Sequence, residues 1–129
     1  MTMARILIVD ADKHIRGLFS IELSEQGHEV TAAGSCHKLL ERIEISQPDL
    51  LILDINQSEC DGPDVLQEIR RNHVDLRIII CSVYDSCKYG LRALAADHFV
   101  IKSYDLTELK TTINRVLEAK GPVHHRAEM

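Results

Sequence analysis

The sequence predicts a doubly wound α/β domain, a five-stranded parallel sheet with helices on both faces. Three observations lead there. Five short apolar runs alternate with segments of helical periodicity, giving the order βαβαβαβαβα. Several runs are unbroken by polar residues (ILIV, LLIL, IIIC), as expected of parallel strands buried on both faces. The chain has 129 residues, 45% of them hydrophobic, which suits one domain with a real core. Aromatics make up only 4%, so that core must be built from Ile, Leu, Val and Ala.

Arg5 to Val9 (RILIV) is the first strand, and Asp10-Ala11-Asp12 follows it. Asp12 is placed to N-cap a helix over Lys13 to Gln26, with Ile15, Leu18, Phe19 and Leu23 on one face. Gly27 suits the stop just past its end. His28 to Ala33 is a second, weaker strand, and Ser35 is expected to cap a helix running to about Ile45. Leu50 to Asp54 is the third strand. Asp61-Gly62 marks a turn, and Pro63 opens a helix that ends near Asn72. Leu76 to Cys81 is the fourth strand, closed by Ser82. A helix from roughly Ser86 to Ala95 has poor periodicity and contains Gly90. His98 to Ile101 is the fifth strand and ends on Lys102. Asp105 and Glu108 form a pattern close to a capping box at the start of the last helix, which stops near Gly121-Pro122. The domain is expected to span residues 4–120, with 121–129 a tail or linker stub.

A net charge of −5 and a pI near 5.8 argue against direct binding of nucleic acid or an anionic membrane by this domain. No apolar run has the length of a membrane span, and the N-terminus lacks the apolar stretch of a signal peptide, so a cytoplasmic location is expected. The four cysteines, Cys36, Cys60, Cys81 and Cys87, form no CxxC pair and are expected to be reduced thiols. No GxGxxG follows the first strand, which removes a dinucleotide site.

The chemistry gathers at the strand ends. In a parallel sheet, the C-terminal ends share one edge, where ligands bind. That edge collects Asp10 and Asp12, Asp54, Ser82 and Lys102. Clustered carboxylates repel unless a cation sits among them, and Mg²⁺ suits a site of oxygen ligands that also handles phosphate. A carboxylate can accept a phosphoryl group as a nucleophile, and an ammonium and a hydroxyl can hold the phosphoryl oxygens.

Five features, taken in order, resemble the receiver domains of two-component response regulators: Ile-Leu-Ile-Val-Asp10, Leu-Ile-Leu-Asp54, Asp61-Gly62, Ser82 and Val-Ile-Lys102. The likeness runs from Arg5 to about Lys120. It implies a flavodoxin-like (βα)5 fold with strand order 2-1-3-4-5. It also implies that Asp54 accepts phosphate from a histidine kinase or phosphotransfer protein, with Mg²⁺ held by Asp10, Asp54 and the backbone carbonyl of Asn56. Ser82 and Lys102 would read the phosphate, and Phe99 would occupy the aromatic switch position. The switched surface would be the face made by the helix over 86–95, the fifth strand and the last helix. It would address a downstream protein effector or an output domain, with a homodimer as one use of it.

The chain departs from the family pattern at three places. Ala11 replaces the second acid of the usual adjacent pair, which is expected to weaken metal affinity, and Asp12 is acidic one position late. Ser58 and Ser103 replace family prolines. The Ser103 replacement bears on the cis peptide usually found after the lysine, because a non-proline cis bond costs about 3–4 kcal/mol.

Plainer readings exist for each residue. Asp10 and Asp12 also fit a helix cap with charge favoured by the helix dipole, Phe99 fits a core position, and Ser82 and Lys102 fit ordinary strand ends. Two other functions compete. One is a pseudo-receiver, a binding module left unphosphorylated because of Ala11. The other is an enzyme, since Asp10-Ala11-Asp12 also resembles the Asp-x-Asp signature of haloacid-dehalogenase-type phosphatases, with Asp10 as nucleophile and Asp12 as acid/base. No later acidic pair follows another strand, and Asp54 would be left without a role, so a non-enzymatic module is the expectation.

Overall fold

The computed structural model describes residues 3–54, 63–82 and 96–120, without the side chains of 63–65 and 119–120. Five strands form one parallel sheet: β1 (Arg5–Val9), β2 (Glu29–Ala33), β3 (Leu50–Leu53), β4 (Arg77–Ser82) and β5 (His98–Ile101). Their order is β2-β1-β3-β4-β5, the flavodoxin-like order. The register pairs Val9 with Ala33 and Leu53, Leu53 with Ile80, and Ser82 with Ile101. Four helices are described: α1 (Lys13–Glu25), α2 (Leu39–Ser46), α3 (Pro63–Asn72) and α4 (Thr107–Lys120). The expected helix over Ser86 to Ala95, the Asp61-Gly62 turn, Ser58 and the tail 121–129 lie outside the described residues.

Alternation along the strands sorts the core into two clusters, one on each face of the sheet. Ile6, Ile8, Leu50, Ile52, Ile79, Cys81 and Val100 pack with Phe19 and Leu23 of α1 and with Ile113 and Val116 of α4. Leu7, Val9, Leu51, Leu53, Ile78 and Ile80 pack with Leu39 and Ile43 of α2 and with Leu66 and Ile69 of α3. Each central strand therefore sends successive residues into opposite cores, which is why its apolar run carries no polar alternation. Lys110 on α4 meets Glu22 on α1 at 2.7 Å and ties the two helices of one face together.

The helix ends follow their local chemistry. Asp12 N-caps α1, its Oδ1 accepting from His14 N and Ile15 N. At the other end Gly27 takes φ +99°, a left-handed conformation that a side chain rarely adopts. Gly27 N donates to Ser24 O and His28 N to Leu23 O, the paired bonds of a Schellman stop. The second helix departs from expectation. Ser35 Oγ accepts from His37 N instead of capping the helix, and Lys38 sits at φ 56°, so α2 begins only at Leu39. A short turn, closed by Leu39 N donating to Cys36 O, uses up the residues that the periodicity assigned to the helix. Before α4, Asp105 Oδ1 accepts from both the N–H and the hydroxyl of Thr107.

Cys81 is a free, buried thiol whose pKa burial pushes up to about 12. Cys36 is disulfide-bonded, contrary to the expectation of four reduced thiols; Cys60 and Cys87 lie outside the described residues.

Candidate functional site

Three backbone hydrogen bonds carry the sheet one residue past its strands. Asp10 N donates to Ala33 O at 3.1 Å, Asp54 N to Val9 O at 3.0 Å and Lys102 N to Ser82 O at 2.7 Å. Each of the three charged residues therefore begins its side chain from a fixed point on the same edge.

The side chains converge there. Lys102 Nζ lies 2.7 Å from Asp54 Oδ2 and 2.9 Å from Asp10 Oδ2. The cluster is secluded, with the Lys102 side chain only 10% exposed and those of Asp10 and Asp54 3% and 9%. Two acids and one ammonium leave a net charge of −1 within it. Burial works to lower the Lys102 pKa, but the hydrogen bonds to Asp54 and Asp10 and the charges of both acids outweigh it and hold the ammonium above its ordinary range.

Asp10 is held on every side. Its Oδ1 accepts from Asp12 N at 2.8 Å, and its carbonyl accepts from Arg16 Nη1 at 2.7 Å. The Arg16 contact has no signature in the sequence, because a side chain reaching back to a main-chain carbonyl belongs to no motif. Asp12 is nearby but differently employed. Its carboxyl is held below the usual carboxylate range by hydrogen bonds from the backbone of Ile15 and His14, the bonds of its capping role. Ser82 is fully buried at the end of β4, beside Lys102 through the backbone. Phe99 is half-buried and packs against the cluster on the α2 and α3 face. Asn56 lies outside the described residues. The Lys102–Ser103 peptide is trans, and Ser103 Oγ accepts from Asp105 N.

The residues fit a divalent ion in part. Asp10 and Asp54 supply the hard carboxylate oxygens that Mg²⁺ takes. Ala11 supplies none, and the Asp12 carboxylate is engaged with the start of α1. Among the described residues, no group of three or more His, Cys, Asp or Glu side chains is placed to hold a metal.

The arrangement has close relatives. The family model for the response regulator receiver domain matches residues 6–114. The chain is 32% identical over 124 residues to the DNA-binding transcriptional regulator NtrC of Azospirillum brasilense, covering 95% of this chain and 26% of that protein. It is 32% identical over 120 residues to the response regulator MprA of Mycobacterium leprae, covering 92% and 53%. The chain thus spans between about a quarter and a half of these relatives. Among solved structures it is similar to the response regulator TrrA of Thermotoga maritima in complex with Mg²⁺-BeF, with TM-score 0.79, 36% identity and coverage of 86% and 96%. It is also similar to NtrX of Brucella abortus, with TM-score 0.87, 28% identity and coverage of 98% and 30%.

Proposed function

This chain belongs to the response regulator receiver domain family of two-component signalling, and from that premise we propose that Asp54 is its phosphoacceptor. The observation that carries the reading is the ion cluster, in which a buried carboxylate at the end of a central strand is held 2.7 Å from a lysine ammonium. The donor would be a phosphohistidine of a sensor kinase or phosphotransfer protein. A carboxylate oxygen of Asp54 forms the new O–P bond as the P–N bond breaks, and the departing imidazole keeps that electron pair and takes up a proton. Lys102 faces the acceptor and balances the phosphoryl charge as it arrives, while Asp10 keeps the ammonium from leaving the edge. Asp10 and Asp54, with the Asn56 carbonyl, would hold Mg²⁺, which when bound adds charge stabilisation at the phosphoryl oxygens. Ser82 and Phe99 are the residues through which the change would pass to the surface formed by β5 and α4. The protein reading that surface would be a downstream effector, an output domain or a second copy, in the cytoplasm.

Intact mass after incubation with a small-molecule phosphodonor, with and without Mg²⁺, tests the reading. The expected result is a Mg²⁺-dependent mass gain of one phosphoryl group that is absent in Asp54→Ala. A folded protein with no adduct in excess Mg²⁺ overturns it.

A second reading, the unphosphorylated pseudo-receiver, draws on the two-carboxylate site. Without an acid at position 11, and with Asp12 capping α1, attraction for a divalent ion is reduced. The phosphatase reading needs the Asp12 carboxylate to work beside Asp10, whereas its Oδ1 accepts from two helix amides. We therefore set it aside.

A further inference from the structure

We propose that Arg16 is a positioning residue for the phosphoacceptor edge, seated against Gly34. The proposal rests on the phosphoacceptor reading for its functional meaning, and on independent geometry for its structure. Arg16 projects from the first turn of α1 and donates through Nη1 to the Asp10 carbonyl at 2.7 Å. The guanidinium lies over Gly34, just beyond β2. A Cβ built on Gly34 would sit 3.1 Å from Nη1, 3.5 Å from Cζ and 3.8 Å from Nη2. The φ of Gly34 demands no glycine, so the lack of a side chain there serves the space that the arginine fills.

The consequence falls on one residue. The Asp10 amide is fixed by Ala33 O, its Oδ1 by Asp12 N and its Oδ2 by Lys102, which leaves the carbonyl as the group Arg16 secures. Asp10-Ala11-Asp12 leaves the strand for the helix at this point. If the carbonyl is released, the peptide plane between Asp10 and Ala11 can turn, shifting Ala11 and through it the Asp12 amide that holds the Asp10 carboxylate. Lys102 would then be drawn toward one acid and away from the other. Arginine suits the post because its planar fork can fill the space beside a glycine while Nη1 donates to the carbonyl. Lysine would bring a single point donor with nothing to lie on that surface.

Three variants test this: Arg16→Met, Arg16→Lys and Gly34→Val, the last displacing the guanidinium without removing it. Two readouts are taken on each, the rate of adduct formation on Asp54 from a small-molecule phosphodonor and the amide chemical shift of Asp12, which reports the Asp10 carboxylate directly. Thermal unfolding accompanies both. Arg16→Met and Gly34→Val are expected to move the Asp12 amide resonance and to slow phosphorylation by about tenfold, within the range that small misplacements cost. Arg16→Lys is expected to recover part of each. A merely structural arginine would lower the unfolding temperature and leave the Asp12 resonance and the rate of the folded protein unchanged, and that result overturns the proposal. If the wild-type chain takes no phosphate, the phosphoacceptor reading has failed. The Asp12 resonance then decides the positioning claim alone, an unmoved signal in both Arg16→Met and Gly34→Val rejecting it.

Discussion

Lys102 is one charge shared by two acids, and its substitution should be felt before any ligand arrives. Lys102→Met would leave Asp10 and Asp54 buried side by side without their common cation. Breaking such a buried set typically costs about 3 kcal/mol or more, and excess Mg²⁺ should restore part of the loss by taking over the neutralising role. Urea unfolding with and without Mg²⁺ measures both effects, and an unchanged midpoint would show that the cluster contributes little to stability. Ala11→Asp works in the opposite direction. It adds a third acid beside Asp10, and Mg²⁺ affinity in an amide-shift titration should rise clearly; no rise would mean that Ala11 is not the cause of a weak metal site. At this scale the sequence was informative wherever chemistry coincides with a strand end. Asp10, Asp54 and Lys102 follow apolar runs, so their meeting could be read from parallel topology. Arg16 and Gly34 could not, since one answers a main-chain carbonyl and the other is defined by what it lacks.

The elements are bounded by caps, and the caps compete with the site for the same residues. Asp12 is the clearest case. Asp12→Ala should lower the unfolding temperature by about 3–5 °C through loss of the α1 cap. The Mg²⁺ dependence of phosphorylation should hardly move, whereas a cap-sized destabilisation accompanied by a marked loss of Mg²⁺ response would reassign Asp12 to the metal. The start of α1 and its glycine stop were legible because each needs a particular residue at a particular place. The start of α2 was not. Ser35 satisfies a nearby amide in its own turn, and the left-handed Lys38 resets the chain before the helix begins. A serine ahead of an apolar periodic stretch cannot by itself distinguish a helix cap from a turn.

At the scale of the molecule, the sheet separates two cores, and a buried histidine is tied to the chain just ahead of β1. His28, only 5% exposed, accepts at Nδ1 from Ala4 N, and burial holds its pKa below the ordinary value of 6.5. Protonation would cancel that acceptor and leave Ala4 N–H unpaired. The unfolded chain takes up the proton first as pH falls, so the stability His28 supplies is complete above about pH 6.5 and is lost as pH drops through its lowered folded value. Urea midpoints at pH 7.5 and 5.5 should therefore fall further in the wild type than in His28→Gln, and equal falls would acquit this histidine. The two-sided core was legible as a whole because continuous apolar runs mark strands buried on both faces, whereas the strand order was legible only through the family resemblance. The disulfide at Cys36 was not, because cysteine spacing says nothing about which thiols the fold brings together.

The three ladder bonds beyond the strand ends have a kinetic consequence. Asp10, Asp54 and Lys102 each donate their amide into the sheet, so those protons should exchange with solvent on the slow timescale of the sheet interior, not on that of loops. In deuterated buffer they should persist alongside the amides of β1 and β4. On the phosphoacceptor reading, a phosphoryl group on Asp54 would be accommodated by side chains turning on a main chain held in the sheet, with no unfolding required where the mark is made.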